Sequence, residues 1–329
     1  MSQHFLLSSK ARGLSLAKLF SMSDEQAKDL FAELRWSETE GSPVCPACGH
    51  KEFYSIKTRN QFRCKDCAHT YSVTSNTIFA NNKLPIKTYL IAIAIFTNAV
   101  KSVSALQLSR DLNCQYKTAW VLAQKIRESL LINRNEEKLD GVCEIDGVYT
   151  GSYIRPKNDI NKRIDRRKVF MPKKRVIISI RQRAENGVGA SRTITHVLRS
   201  ENSFDIKNIV LNSVEKGATI HADDALGYDD LHAYYDMKRV NHKVQYSDNG
   251  ISVNQCESYN SRFRRMQYGQ CHHISHDYLA FYANEIAYRE DMRRTDNLSV
   301  FRDIVTKCAI SPTSQTFVGY WQKNKKGGI

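Results

Sequence analysis

Two Cys-x-x-Cys pairs, Cys45 with Cys48 and Cys64 with Cys67, constrain this chain more than any other local feature. A stretch of 15 residues separates them. Each pair turns tightly enough to offer both sulfurs to one ion, and four soft thiolates select tetrahedral zinc. The knuckles read Cys45-Pro46-Ala47-Cys48-Gly49 and Cys64-Lys65-Asp66-Cys67, with Phe62 and Tyr71 available to pack beside a site too small to fold alone. The spacing predicts a zinc ribbon over residues 43–80 with one structural zinc ion. Its hairpin segments fall at 53–56, 61–63 and 70–73. Most of the 329 residues are left for another task.

Charge narrows that task. Forty-nine basic against 34 acidic residues give a net charge of +15. Such a balance favours a polyanionic partner over a small neutral substrate. The other five cysteines (Cys114, Cys143, Cys256, Cys271 and Cys308) are scattered, and an odd total of nine fits a reducing interior better than a disulfide scaffold. No signal-peptide core opens the chain. The most apolar run, 89–96, is too short to cross a bilayer. The expectation is a soluble, cytoplasmic, nucleoid-associated protein of two or three domains with no membrane partner.

Residues 1–42 read as an N-terminal helical segment, with Ser23 and Gln26 spaced as a capping box. Beyond the ribbon, 84–135 is helical: an apolar run at 86–98, then 102–112 and 116–131, broken at Asn113-Cys114-Gln115. A break this short suits a helix-turn-helix whose second helix carries Gln115, Lys117 and Thr118 near its start, within reach of base edges or phosphates. An ordinary helical hairpin joining two domains fits the same pattern.

The texture changes at residue 139. Strands are predicted at 142–149, 175–180 and, more weakly, 191–198, with 218–221 the end of a further strand. The stretch 209–213 is a short strand candidate inside a segment, 202–215, that also reads as helix. Further helices are expected at 228–235, 253–266 and 276–289. Strands first and helices interleaved later describe an α/β domain with a mixed sheet over 139–290. The first two strands are joined by a loop dense in basic residues, among them Arg155, Lys157, Arg163, Arg166, Arg167 and Lys168. It either grips a phosphate backbone or keeps the surface wet. Residues 291–329 read as a polar tail, basic at Lys323, Lys325 and Lys326.

Three acids stand out by position. Asp146 sits inside the strand 142–149, Asp223 follows the strand ending at 221, and Glu257 lies early in the helix 253–266. Gathered around one sheet, they could hold two divalent cations about 4 Å apart, the arrangement that serves phosphoryl transfer. Hard carboxylate oxygens select Mg2+ or Mn2+. Glu257, Asn260, Ser261 and Arg264 share one helix face, which puts Arg264 in line to hold a backbone phosphate. Arg262 and Arg265 point elsewhere and are candidates for looser DNA contacts. His221, His272 and His273 are candidates for phosphate contacts or acid–base roles, or ordinary surface residues.

Taken together, these fragments resemble bacterial insertion-sequence transposases that join an N-terminal zinc ribbon to a DDE catalytic domain. The resemblance spans roughly 25–290. It rests on the two knuckles, Thr77-Ile78-Phe79 ahead of Leu84-Pro85, Tyr116-Lys117-Thr118-Ala119-Trp120 and Lys125-Ile126-Arg127. In the second half it rests on Asp146-Gly147-x-Tyr149-x-Gly151, Asp223, Asn254-x-x-Glu257-Ser258, Arg264-Arg265, Gly269, His272, Ser275, Tyr278-Leu279, Tyr282, Glu285 and Arg289.

The resemblance implies a ribonuclease-H-like domain that cleaves at transposon terminal inverted repeats and joins the freed 3′-hydroxyls to target DNA, as a homodimer or higher assembly on double-stranded DNA. It makes Asp146 and Asp223 the first and second metal carboxylates, and Glu257 the third acid with Asn254 as competing assignment. Arg264 stands where the family usually has lysine, and Asp224 where glycine often follows the second aspartate. A non-catalytic DNA-binding regulator and a structure-specific nuclease on the same fold are the alternatives.

Overall fold

The computed structural model describes residues 5–81, 83–151, 158–163, 174–185, 189–240 and 250–320. Two units divide the chain: 1–134 together with 292–329, and 135–291. Among the described residues no helix is long and apolar enough to cross a membrane.

In the first unit, α1 (Leu16–Ser21) leads into α2 (Asp24–Arg35). The predicted capping box forms at α2: Gln26 N–H donates to Ser23 Oγ at 3.1 Å, and Ser23 N–H donates to Gln26 Oε1 at 2.8 Å. Two otherwise orphaned helix donors are thereby satisfied. The ribbon is a three-stranded antiparallel sheet, β1 (Phe53–Ile56), β2 (Gln61–Cys64) and β3 (Thr70–Tyr71), in that order. Phe62 on β2 sits at its centre, with Trp36, Phe53 and Tyr71 around it at centroid distances of 5.2 to 6.3 Å. Arg35 at the end of α2 donates to the carbonyls of Ser72, Val73 and Ser75 and so fastens the helix to the ribbon. Burial lowers the Arg35 pKa to about 10, so the guanidinium still carries its charge at neutral pH.

The helical module follows as α3 (Ile86–Asn98), α4 (Ala105–Asp111) and α5 (Tyr116–Ile132). α4 begins at Ala105, not at 102, because Ser104 Oγ accepts from Gln107 N–H and caps it there. The turn into α5 passes through Asn113 with φ of +48°. The region read from sequence as a polar tail contains a further helix, α9 (Asn297–Ile310), after α6–α8 of the second unit. Asp296 caps it, and it buries Phe301, Ile304, Val305 and Cys308 at helical spacing. Lys323, Lys325 and Lys326 lie outside the described residues.

The second unit is built on a mixed five-stranded sheet. Its strands are β4 (Val142–Thr150), β5 (Arg175–Arg183), β6 (Ala190–Leu198), β7 (Thr219–Asp223) and β8 (Asp236–Val240), in spatial order β6-β5-β4-β7-β8. β4, β5 and β6 run antiparallel, whereas β7 and β8 lie parallel to β4. This is the ribonuclease-H-like α/β architecture. The helices are α6 (Ser203–Ser213), α7 (Asn254–Met266) and α8 (Leu279–Asp291).

Both faces of the sheet are covered. Cys143, Ile145 and Ile178 share a core with Ile206 and Val210 of α6. Val148 and Ile177 share another with Tyr259 and Phe263 of α7 and Ile286 of α8. Burial on both sides explains why β5 is dense in β-branched residues, Val176, Ile177, Ile178 and Ile180. The candidate strand at 209–213 is helical, the end of α6, and the segment 228–235 forms a short 3₁₀ helix, Leu226–Ala233.

Candidate functional site

The four knuckle cysteines converge. Their sulfurs all lie within 4.8 Å of one another, with Cys45–Cys67 and Cys48–Cys64 each at 3.6 Å. A tetrahedron with Zn–S bonds of about 2.3 Å has edges of about 3.8 Å, so the donor set fits zinc in number, chemistry and size. The two knuckles are built alike. Cys45 N–H donates to His50 O, and Cys64 N–H donates to His69 O, both at 2.9 Å. Each loop turns through a left-handed residue, Gly49 (φ +77°) and Ala68 (φ +55°). This is a structural zinc centre.

In the second unit, strand alternation sends Glu144, Asp146 and Val148 to the α7 face of β4. Glu144 is fully buried and fixes the helix start: its carboxylate accepts from Gln255 N–H at 2.7 Å and Cys256 N–H at 3.3 Å. Arg183 Nε, at 2.7 Å, balances its charge. One turn along, Asn260 Nδ2 donates to Asp146 Oδ2 at 2.7 Å. Asp146 Oδ1 accepts from Gly147 N–H, also at 2.7 Å.

Asp146 is the electrostatic focus. Burial pushes its pKa up to about 7, and the negative charges of Asp223, Glu201 and Glu257 push the same way, against the Gly147 hydrogen bond. Asp223 ends β7 half-buried, with Oδ1 accepting from Ala225 N–H at 3.0 Å, while Asp224 is exposed. Geometry therefore favours Asp223 over its neighbour. Glu257 is half-buried and Asn254 exposed at the start of α7. Among the described residues the four cysteines are the one set of three or more metal-ligating side chains drawn within 4.8 Å, so no three of the acids are gathered that closely.

A contrast separates these acids from the buried glutamates of the same unit, although Asp291, held by Thr193, likewise has no Lys or Arg ion pair among the described residues. Glu144 is paired with Arg183, Glu285 with Arg289, and Glu290 with Arg181 and Arg262. Asp146, Asp223 and Glu201 have no Lys or Arg ion pair among the described residues. Asn260, only 3% exposed, also leaves its Oδ1 without a hydrogen-bond partner. A buried acceptor beside uncompensated carboxylates is an environment that a cation would complete.

Comparison with known proteins decides the family. Residues 138–291 match the ISXO2-like transposase domain, and residues 22–70 match the transposase zinc-ribbon domain. The chain belongs to the insertion-sequence transposases that join a zinc ribbon to a DDE domain. A Halobacterium salinarum protein described as an uncharacterized protein in transposable element ISH50 is 23% identical over 253 residues, 74% of this chain and 83% of its own. The crystal structure of the Mos1 strand transfer complex covers 61% of this chain and 74% of its own at 12% identity. Its TM-score of 0.24 is too low for any residue correspondence.

In this transposase the remaining candidates fall into distinct surroundings. Gln115, Lys117 and Thr118 are exposed around the start of α5. Arg264 and Arg265 are exposed near the end of α7, with Arg265 Nη2 donating to Ser261 Oγ at 3.1 Å. Arg262 Nε instead lies 2.8 Å from Glu290 and packs α7 to α8. Arg163 is exposed; Arg155, Lys157, Arg166, Arg167 and Lys168 lie outside the described residues.

The candidate histidines also differ. His221 is buried, its Nδ1 accepting from Ser252 N–H at 3.3 Å, and burial lowers its pKa. His272 and His273 are exposed beyond the π-helical turn Gln267–Cys271. Sequence reasoning passed over Asn260 as a partner of Asp146, because the pair is 114 residues apart. Nor did it single out Glu201, which precedes α6.

Proposed function

We propose that this transposase binds the terminal inverted repeats of its element, cleaves the DNA at each 3′ end, and joins the freed 3′-hydroxyl to target DNA at a centre formed by Asp146, Asp223 and Glu257. The observation that carries the reading is the charge pattern: Asp146 and two of the acids whose fields meet there, Asp223 and Glu201, have no Lys or Arg ion pair among the described residues, in a unit that pairs its buried glutamates Glu144, Glu285 and Glu290 with arginine.

Mg2+ or Mn2+, two ions when the centre is filled, would supply charge neutralisation at the scissile phosphate and a more acidic attacking oxygen. The chain's own residues do the positioning. Asn260 holds Asp146 in place on β4, and Glu144 fixes the start of α7, so that Glu257 is presented from a helix whose register is set. Asn254, exposed one turn earlier, is the competing third residue. Arg264, two turns beyond Glu257, offers a forked donor to a backbone phosphate. Affinity for DNA comes from phosphate contacts by the basic surface, with Gln115, Lys117 and Thr118 reading sequence in a helix-turn-helix of α4 and α5. Joining two ends at once calls for at least a dimer on DNA.

The test uses the zinc-loaded chain and duplexes carrying the repeats that flank its own reading frame. With Mg2+, nicks at the repeat ends and strand-joined products are expected, and both vanish with a chelator that spares the zinc. Binding without cutting, under every cation tried, would favour the regulator. Cutting of branched DNA without matched repeats would favour the nuclease.

A further inference from the structure

Glu201 lies between β6 and α6, 55 positions from Asp146, yet its charge acts on Asp146. Room has been made for it. A Cβ at Gly147, the residue after Asp146, would lie 2.7 Å from Glu201 Oε1. One at Gly227 would lie 3.0 Å from the Glu201 carbonyl oxygen and 3.3 Å from its Cγ. Two glycines on different elements thus leave a slot that this side chain fills. Asp146 and Glu201 meet at Gly147, the one accepting its N–H and the other resting on the side where a Cβ would stand.

The donor that holds Glu201 is neutral. Tyr228, fully buried, donates its hydroxyl to Glu201 Oε1, and Tyr149 at the end of β4 lies close enough to act on the carboxylate. Tyrosine hydroxyls orient a carboxylate without cancelling its charge, unlike the arginines on Glu144, Glu285 and Glu290. A carboxylate has about four acceptor positions, so the Tyr228 hydroxyl leaves others vacant. On the α7 side of β4, the buried Oδ1 of Asn260, also a partner of Asp146, lacks a hydrogen bond.

We propose that Glu201 is a fourth acid of the catalytic centre and shares a divalent cation with Asp146. The proposal rests on the reading of that centre given above. Asp146 would hold the cation from the strand and Glu201 from the far side of Gly147, with Tyr228 fixing the glutamate's rotamer. Replacing Gly147 by alanine would push the two apart.

The experiment is a Mn2+ titration of the zinc-loaded full chain, followed by the loss of free Mn2+ electron paramagnetic resonance signal. Wild type is compared with Glu201→Gln and Asp146→Asn. Glu201→Gln is expected to weaken Mn2+ binding at least about tenfold and to move the Mn2+ requirement of end cleavage upward by a similar factor. Wild-type Mn2+ affinity in Glu201→Gln, with binding lost in Asp146→Asn, would overturn the proposal and leave the centre intact. Wild-type affinity in Asp146→Asn would overturn the centre itself, and the proposal with it. If Glu201→Gln fails to fold, Glu201→Asp gives the answer: withdrawing the carboxylate by one methylene weakens Mn2+ binding if Glu201 is a ligand and leaves it unchanged otherwise.

Discussion

Replacing Asp146 by asparagine is expected to abolish end cleavage and strand joining while making the cation-free protein more stable at pH 8. The first half follows from its place among the acids. Losing one anionic ligand removes several kcal/mol of transition-state stabilisation, about a thousandfold or more in rate. Binding to repeat DNA is expected to persist, because it draws on the basic surface, and one negative charge fewer can only help.

The second half follows from linkage. In the folded, cation-free chain the Asp146 carboxyl is raised from its ordinary 3.8 to about 7. Between those values the folded state binds a proton that the unfolded state has released. Stability therefore falls as pH rises through that window, and the loss is complete above pH 7. A carboxamide does not titrate and escapes the loss. Its amide can still accept from Gly147 N–H and meet Asn260, whose Oδ1 has no partner in the wild type. In chelator that spares zinc, the variant's melting temperature is expected to exceed wild type at pH 8 by several degrees, a difference on the order of a few kcal/mol. The gap is expected to close toward pH 4. Lower stability at pH 8 with full cleavage activity would contradict both halves.

The second large effect concerns the ribbon. Cys64→Ser is expected to lower zinc content from one ion per chain and to unfold residues 43–80, because so small a structure draws its stability from the metal. Before Val73, Ile78 and Phe79 near its end, its buried apolar side chains gather in one aromatic cluster around Phe62. Binding to repeat ends is expected to drop sharply. The catalytic unit, formed by 135–291, is expected to keep its own melting transition. Zinc analysis and calorimetry of the variant check this. A variant that retains zinc and repeat binding would show that the ribbon stands without its fourth thiolate.

What the sequence revealed follows from how local each signal is. The zinc site was legible because both knuckles are short, and the capping box of α2 because it spans four residues. β4 and β5 were legible from a strand with period two and a β-branched run. β8 was not: it pairs with β7 alone, and Asp236, Lys238 and Arg239 interrupt its apolar residues. α9 carried a readable periodicity, Phe301, Ile304, Val305 and Cys308, masked by the polar residues before and after it. Asp146 could be singled out because a charge sits oddly inside a strand, and Asp223 and Glu257 by their places at a strand end and a helix start. Glu201 could not, since what marks it is the absence of side chains at Gly147 and Gly227 and a tyrosine 27 residues away.

Everything chemical in this account needs acids remote in sequence to close on the same cations. Anomalous diffraction from crystals of the full chain soaked in Mn2+ bears on that most directly. Manganese is predicted within about 2.2 Å of oxygens from both Asp146 and Asp223, with Glu257 at the same centre and a separate zinc peak among the four cysteines. Manganese absent from those carboxylates at saturating concentration, with the zinc peak present, would contradict it.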